Sequence, residues 1–396
     1  MDNQESASSQ SARTILTRNF VLAFLGFFAF LFAYFALVPT LPLYFAKLGS
    51  KEGEIGILVG IYSVSSLASR LLAGVALLRH PEKRIMVVAA LIFAASFAAC
   101  ITLRPFWPFL ALRLIQGVAY AFFDTALFAM IVKTTPLPYR GRTLSYLLLA
   151  PAIGTVLAPS FGVFLASLSG FTVLFLVCMG LSFCASLSSA LLKGRRITAP
   201  DAGADNGRAF PIETKIIVPA LSAFFYYFVL GTVMAFFSLY AMQCGMKNPG
   251  YFFSAAAFMT IAGRFVGGRI LDTWSKEKTI VIFTITSMIA MALLSFSKTL
   301  PIFIFVGLLW GTGVAFIFPV TIAYAFEYAG TSGGTAVSTF RVLTDLGQAA
   351  GPMVMGLLIP FTGYPAMFLC LAVICLINLC YFQFFVRRKG TSLSRG

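Results

Sequence analysis

The sequence contains little charge. Only 11% of its 396 residues are Asp, Glu, Lys or Arg, whereas a soluble domain has about 25%. Acidic residues are scarce, with 13 against 29 lysines and arginines, and His80 is the single histidine. By contrast, 59% of the residues are hydrophobic and 43 are phenylalanine. These proportions exclude a soluble globular protein and a relay of histidines, and they indicate a chain that crosses a membrane many times.

Motifs for catalysis and nucleotide binding are also missing. The sequence has no G-x-x-x-x-G-K-[ST] or H-E-x-x-H pattern. Its one G-x-S-x-G match, "GTSGG" at 330–334, belongs to a glycine-rich cluster that we interpret as a loop or as close-packing glycines. Its seven cysteines fall in apolar segments without C-x-x-C spacing, so we interpret them as packing residues. We therefore predict that the protein is not an enzyme and that it has no cofactor and no metal site.

The hydrophobic residues are concentrated in twelve long runs. Runs of about 20 apolar residues are typical of transmembrane helices, whereas barrel strands give short alternating segments. We predict an all-α polytopic membrane protein with twelve transmembrane helices. The predicted spans are 20–45, 54–78, 85–103, 106–132, 143–168, 171–192, 215–243, 250–271, 278–297, 301–326, 334–360 and 364–386.

The basic residues predict the orientation of these spans. Most of them fall in the two tails and in the loops after even-numbered spans, and only Lys47, Lys51, Arg104, Lys247 and Lys298 fall on the opposite side. The positive-inside rule then places both termini in the cytoplasm. We expect a bacterial inner-membrane protein whose net charge of +16 reflects topology and contact with anionic lipid, and we predict no nucleic-acid partner.

The two halves of the chain share a pattern. Residues 193–215 form the longest polar stretch, and on either side of it Arg70 corresponds to Arg264, and Gly154 to Gly347, at offsets of 194 and 193. We predict two pseudo-symmetric six-helix bundles. The predicted parts are a cytoplasmic tail (1–19), a first bundle (20–193), a cytoplasmic linker (194–214), a second bundle (215–387) and a second cytoplasmic tail (388–396).

Several motifs carry a family resemblance. The loop "GRILDTWSKEK" has Gly268 and Asp272 at the places of a G-x-x-x-D loop motif, and span 4 contains "RLIQG" with Arg113 and Gln116. Span 5 partly matches the antiporter pattern G-x8-G-x3-G-P-x2-G-G. With these motifs and twelve spans, the chain resembles the major facilitator superfamily of secondary transporters. One departure is Leu78, which stands where the first half of the family has aspartate.

The resemblance implies a fold and a set of roles. It implies alternating access by two bundles around a central cavity, a link between Arg113 and proton coupling, and gates at the loop motifs. We expect gating by Arg70, Arg84, Arg264, Gly268 and Asp272. We predict a monomer that binds a small-molecule substrate, protons and membrane lipid.

Charged and polar residues inside the spans form two stripes. At 100° per residue, Arg113, Gln116, Tyr120 and Asp124 share one face of span 4. Arg341 and Asp345 are four residues apart in span 11. A charge at the centre of a span costs about 2.5–3.5 kcal/mol, so we interpret these residues as a proton-coupling and substrate site.

Each stripe also has a structural alternative. Asp124 could pair with Arg84 or another cytoplasmic base and close a gate, and Asp345 could form a permanent ion pair with Arg341. Aromatic residues with polar tips predict contacts with an amphipathic solute. These candidates are Tyr34, Tyr226, Tyr227 and Trp310.

Together these features predict proton-coupled export of a small amphipathic organic solute by antiport. The partial span-5 motif and a resemblance of spans 4 and 11 to exporters of drugs, sugars and metallophores favour this direction. One alternative is a proton symporter that imports a nutrient or a siderophore-like metallophore. Another is a membrane receptor or scaffold that does not transport.

Overall fold

The computed structural model describes residues 17–103, 106–136, 139–193, 214–329 and 334–386, without the side chains of 266–272, 318, 329, 334 and 335. Within these ranges the secondary structure is helical, and the last helix ends in one π-helical turn, Phe382–Val386. The helices are α1 (Arg18–Leu37), α2 (Leu41–Lys47), α3 (Glu52–Arg79), α4 (Glu82–Thr102), α5 (Phe106–Thr134), α6 (Arg140–Leu147), α7 (Leu149–Ala190), α8 (Thr214–Gln243), α9 (Gly250–Thr273), α10 (Lys276–Phe296), α11 (Leu300–Ala329) and α12 (Gly334–Tyr381).

Two of the helical segments are too long for a single crossing. Among the residues that the structure describes, nine segments are long and apolar enough to span a membrane, and Arg140–Ala190 and Ala336–Val386 have 51 residues each. At 1.5 Å per residue, such a segment measures about 76 Å, more than twice the thickness of the hydrocarbon core. Each of these two segments therefore supplies two spans.

Glycines make the turns within these segments. Gly170 (φ 83°) and Gly363 (φ 76°) interrupt the helical backbone of α7 and α12 in a left-handed conformation that glycine adopts without a steric penalty. The two glycines are 193 residues apart, which is the offset of the sequence repeat. With α9, a helix of 24 residues, these pairs of spans complete the predicted twelve-helix membrane fold, which is confirmed.

The chain divides into two compact units. The first contains the described residues of 1–37, 65–158 and 169–206, and the second contains those of 38–64, 159–168 and 207–396. The bundle and tail boundaries predicted from the sequence stay a prediction. Most of the predicted linker and of the two tails lies outside the described residues.

Stacked aromatic rings form the core of the first unit. The ring of Phe30 on α1 lies parallel to that of Phe123 on α5, with 4.2 Å between centroids, and 4.5 Å from the ring of Phe93 on α4. All three side chains are buried. This cluster holds α5, which carries the first polar stripe, against α1 and α4.

Close backbone contacts characterise the second unit. A Cβ atom at Gly347 or Gly351 of α12 would collide with the carbonyl oxygen of Phe224 or Phe228 on α8. Small residues at helix interfaces in membranes allow such an approach, and van der Waals contact then holds the helices together. The glycines of α12 therefore fix the distance between α12 and α8.

Candidate functional site

Arg113 belongs to a buried hydrogen-bond chain in the first unit. Its Nη1 donates to Oε1 of Gln116, one turn further along α5, at 2.8 Å. Nε2 of Gln116 donates to Oγ of Ser96 on α4 at 2.9 Å, and this hydroxyl donates to the carbonyl oxygen of Phe93 at 2.6 Å. Arg113 is 4% exposed and Gln116 is 0% exposed. The chain therefore orients the guanidinium of Arg113 and links α5 to α4.

Asp124 forms an ion pair with Arg70. Nη1 of Arg70 on α3 lies 2.9 Å from Oδ2 of Asp124, and the Asp124 side chain is only 4% exposed. The partner of Asp124 is thus Arg70 and not Arg84, which was the basic residue named in the structural alternative. Because a low-polarity environment strengthens the attraction between opposite charges, this pair ties α3 to α5.

These two polar groups are separate centres on α5. Arg113 and Asp124 are eleven positions apart, which is about 16 Å along a helix. Tyr120 lies between them, and its ring centroid is 5.5 Å from that of Tyr34 on α1. Along α5, the predicted stripe therefore begins with Arg113, continues with Tyr120 of the aromatic pair, and ends with Asp124 of the ion pair.

The second polar stripe lies in the second unit. Asp345 and Arg341 are both half-buried on α12, one turn apart. Asp345, Arg341 and Arg264 on α9 all lie close enough to Tyr227 on α8 for electrostatic interaction. Three charged residues from two helices thus share the surroundings of one tyrosine.

The other predicted aromatic contacts differ in their accessibility. Tyr226 is buried in a cluster with Phe283, Phe316 and neighbouring apolar residues, and its ring is perpendicular to that of the half-buried Tyr227. Trp310 is 2% exposed and stacks on Phe252 within the aromatic core of the second unit. The roles of Tyr226 and Trp310 as substrate contacts stay predictions.

The predicted gate residues lie in different surroundings. Arg70 pairs with Asp124, Arg264 is exposed on α9, and Arg84 is exposed in the first turn of α4. Gly268 and Asp272 fall in α9, but their side chains lie outside the described part of the structure. Their gating role stays a prediction.

Sequence reasoning missed two polar partners. Ser96 anchors Gln116 on α4, and Ser222 on α8 donates to Oδ1 of Asn378 on α12 at 2.7 Å. Asn378 is 4% exposed. An asparagine within a run of 18 apolar residues was a usable signal, because a buried amide requires a partner. A serine gives no such signal.

Such an arrangement is typical of one class of protein. Ionised and hydrogen-bonded side chains lie inside apolar membrane helices, and no group of three His, Cys, Asp or Glu residues in the described ranges could hold a metal ion. Polar residues at membrane depth typically mark the pathway of a substrate or a proton. The fold and these centres define a multi-pass membrane transporter.

Comparison with known proteins identifies the family. The family model of the Major Facilitator Superfamily matches residues 23–333 and, in a second match, residues 220–396. The chain therefore belongs to the major facilitator superfamily, and its function is secondary transport.

Its relatives and structural neighbours are distant but cover most of the chain. The chain is 24% identical over 378 residues to the multi-drug resistance efflux pump PmrA of Streptococcus pneumoniae, covering 89% of this chain and 93% of the pump. It is 22% identical to the staphylopine export protein of Staphylococcus aureus, covering 85% and 88%. The crystal structure of the nucleoside transporter NupG matches with a TM-score of 0.71 at 14% identity, covering 93% and 100%.

Proposed function

We propose that this protein exports small amphipathic organic solutes in exchange for protons. Two relatives are described as an efflux pump and an export protein, which supports the outward direction. The half-buried position of Asp345, one turn from Arg341 within the apolar helix α12, is the observation that carries the proposal of proton coupling.

Asp345 is the proposed proton site. A coupling carboxyl must be reached by protons in one state and sheltered from water in another, and a half-buried position meets both needs better than a fully enclosed one. Arg341 lies one turn away on α12, and protonation of Asp345 removes the attraction between these two opposite charges. Uptake of a proton thus changes the surroundings of Tyr227, which is a proposed solute contact.

The pair of Arg70 and Asp124 has a different proposed role. Its enclosed position and its 2.9 Å distance suit a fixed link between α3 and α5 that breaks only when the helices move.

Arg113 is proposed as the residue through which α5 responds to proton binding. Its chain to Gln116 and Ser96 sets the direction of the guanidinium.

The proton gradient provides enough free energy for this exchange. One charge that crosses a potential of 100 mV releases about 2.3 kcal/mol, which corresponds to roughly 50-fold accumulation per proton. Tyr34, Tyr120 and Tyr227 present rings with hydroxyl groups, which suit solutes with both apolar and polar parts. Tyr34 and Tyr120 are already in contact.

Flux in vesicles tests the coupling. Solutes are first selected by the rise they cause in the melting temperature of the purified protein, and their movement is then measured with and without an imposed pH gradient. We expect movement of solute against the direction of proton flow, with up to about 50-fold accumulation. Asp345→Asn should abolish the dependence on the gradient and leave solute binding in the thermal assay.

Glu327→Gln is the matched control. Glu327 pairs with Lys276 in α10, and its side chain is 65% exposed, so its loss should leave the gradient dependence intact. Movement of solute in the same direction as the protons would show that the protein imports the solute and does not export it. Binding without any flux would indicate a receptor, and gradient-driven flux by Asp345→Asn would remove Asp345 from the coupling step.

A further inference from the structure

A groove crosses the surface of the first unit between α3, α4 and α5. It encloses about 410 Å³ and is lined almost entirely by aliphatic and aromatic carbon. Its rim consists of exposed apolar side chains, among them Val88 and Ile92 of α4 and Ile115 and Val118 of α5.

The groove lies apart from the polar centres. At 100° per residue, Ile115, Val118 and Phe122 fall on the side of α5 opposite Arg113 and Asp124. An apolar exposed face on a membrane helix, turned away from the polar stripe of the same helix, contacts lipid. The groove is therefore distinct from the proposed transport site.

Two residues with polar side chains, His80 and Arg84, lie at one end of the groove, where α3 ends and α4 begins. They contribute mainly carbon to the lining, and both residues are exposed. Within the described part of the chain, Arg84 makes no ion pair, whereas the neighbouring Lys83 donates to the carbonyl oxygen of Leu192. The nearby carboxylate of Glu82 is paired with Lys133. Positive charge at this end is thus available to an anion.

The length of the groove corresponds to one leaflet. From Arg84 to Ile92 the chain advances eight residues along α4, which is about 12 Å. Half of a hydrocarbon core of about 30 Å is about 15 Å. A lipid whose phosphate lies at Arg84 would therefore place one acyl chain along the apolar part of the groove, down to about the middle of the bilayer.

We propose that this groove is a binding site for an anionic glycerophospholipid of the membrane, with the phosphate at Arg84 and His80 and one acyl chain between α4 and α5. The guanidinium donates to phosphate oxygens, and the start of α4 adds the positive end of its helix dipole. The bound lipid fills the space between the helices and holds α3 against α4. This site does not depend on the direction or the proton coupling of transport.

Native mass spectrometry of the full chain with palmitoyl-oleoyl phosphatidylglycerol or phosphatidylcholine tests the headgroup contact. We expect the protein to bind phosphatidylglycerol more tightly than phosphatidylcholine. Arg84→Gln should lower the affinity for phosphatidylglycerol by about tenfold, as for the loss of one charge-assisted contact. Arg79→Gln is the matched control, because Arg79 is exposed at the adjacent end of α3 but does not line the groove. If Arg84→Gln and Arg79→Gln lowered the affinity for phosphatidylglycerol equally, the proposal would be overturned in favour of diffuse attraction by surface charge.

A second pair of variants tests the acyl chain. Ile92 and Leu91 are each 43% exposed, but only Ile92 lines the groove. We expect Ile92→Trp to displace phosphatidylglycerol and Leu91→Trp to retain it. Retention by Ile92→Trp, or equal binding of phosphatidylcholine, would overturn the proposal. Displacement of the lipid by millimolar inorganic phosphate would also overturn it, because the phosphate alone would then account for binding.

Discussion

The polar residues of α5 belong to two centres that differ in chemistry. Arg113 donates to Gln116, which in turn donates to Ser96, whereas Asp124 forms an ion pair with Arg70. The hydrogen-bond chain orients one side chain, and the ion pair joins two helices through opposite charges. This difference is the reason for assigning a responsive role to Arg113 and a linking role to Asp124.

A double-mutant cycle tests the linking role. Removal of one partner leaves a charge buried without its counter-ion, so we expect Asp124→Asn and Arg70→Gln each to lower the free energy of unfolding by about 3–5 kcal/mol. The free energy of unfolding of the double variant should fall by less than the sum of the two single losses, because no charge remains without a counter-ion. Unfolding in detergent micelles, followed by circular dichroism, measures these changes.

The exposed pair of Lys133 and Glu82 provides the control for this cycle. Its lysine side chain is 64% exposed, so Lys133→Gln should change stability by less than about 1 kcal/mol. Strict additivity of the losses at Arg70 and Asp124 would show that the two side chains act independently.

Helix packing in the second unit depends on glycines. Gly347 and Gly351 allow α12 to approach the backbone of α8 so closely that a Cβ atom would meet a carbonyl oxygen. Asp345 lies on the same helix, two residues before Gly347. A change in the separation of α8 and α12 would therefore move Asp345 relative to α8, so helix packing bears on the proposed proton site.

Enlarging one of these glycines should separate the two helices. We expect Gly351→Ala to lower stability by about 1–3 kcal/mol, as overpacking does in a close-packed interface, and to slow transport. Melting temperature and initial flux measure the two effects. Gly180→Ala is the matched control, because Gly180 lies in a helix with open space around the added carbon. If Gly351→Ala and Gly180→Ala had the same melting temperature, the close approach of α12 to α8 would be refuted.

At the scale of the whole molecule, the distribution of charge predicts orientation. Both termini are expected on the cytoplasmic side, and the loop that contains Lys298 on the outside. We expect Lys298→Cys to react with a membrane-impermeant maleimide in intact cells, whereas Ser9→Cys should react only after the membrane is permeabilised. The unaltered chain, with its seven cysteines, measures the background. The reverse pattern of labelling would invert the topology and the proposed direction of export.

The fold was predictable because its main determinants are local. A run of apolar residues long enough to cross the hydrocarbon core forms a helix, since each backbone polar group must find a partner within the segment. The turns at Gly170 and Gly363 fall between adjacent predicted runs, at the 193-residue offset of the repeat. Periodicity likewise identified Arg113, Gln116 and Asp124 as members of one face.

The partners of these residues were not predictable to the same degree. Arg70 and Asp124 are 54 residues apart, and Gln116 and Ser96 are 20 residues apart, so each contact requires that separate helices pack at a particular rotation and depth. Arg84 was equally plausible as a partner of Asp124 from charge alone. Trp310, an aromatic residue like the others by sequence, is enclosed by the core of its own unit.

The sequence by itself determined that this protein spans a membrane with twelve helices and places charge within them, because hydrophobic length and residue periodicity act within each segment. Only the tertiary structure decided which charges are paired, which glycines separate helices, and where an apolar groove ends in positive charge. Those features depend on how side chains distant in the chain meet, and that is set by the packing of one helix against another.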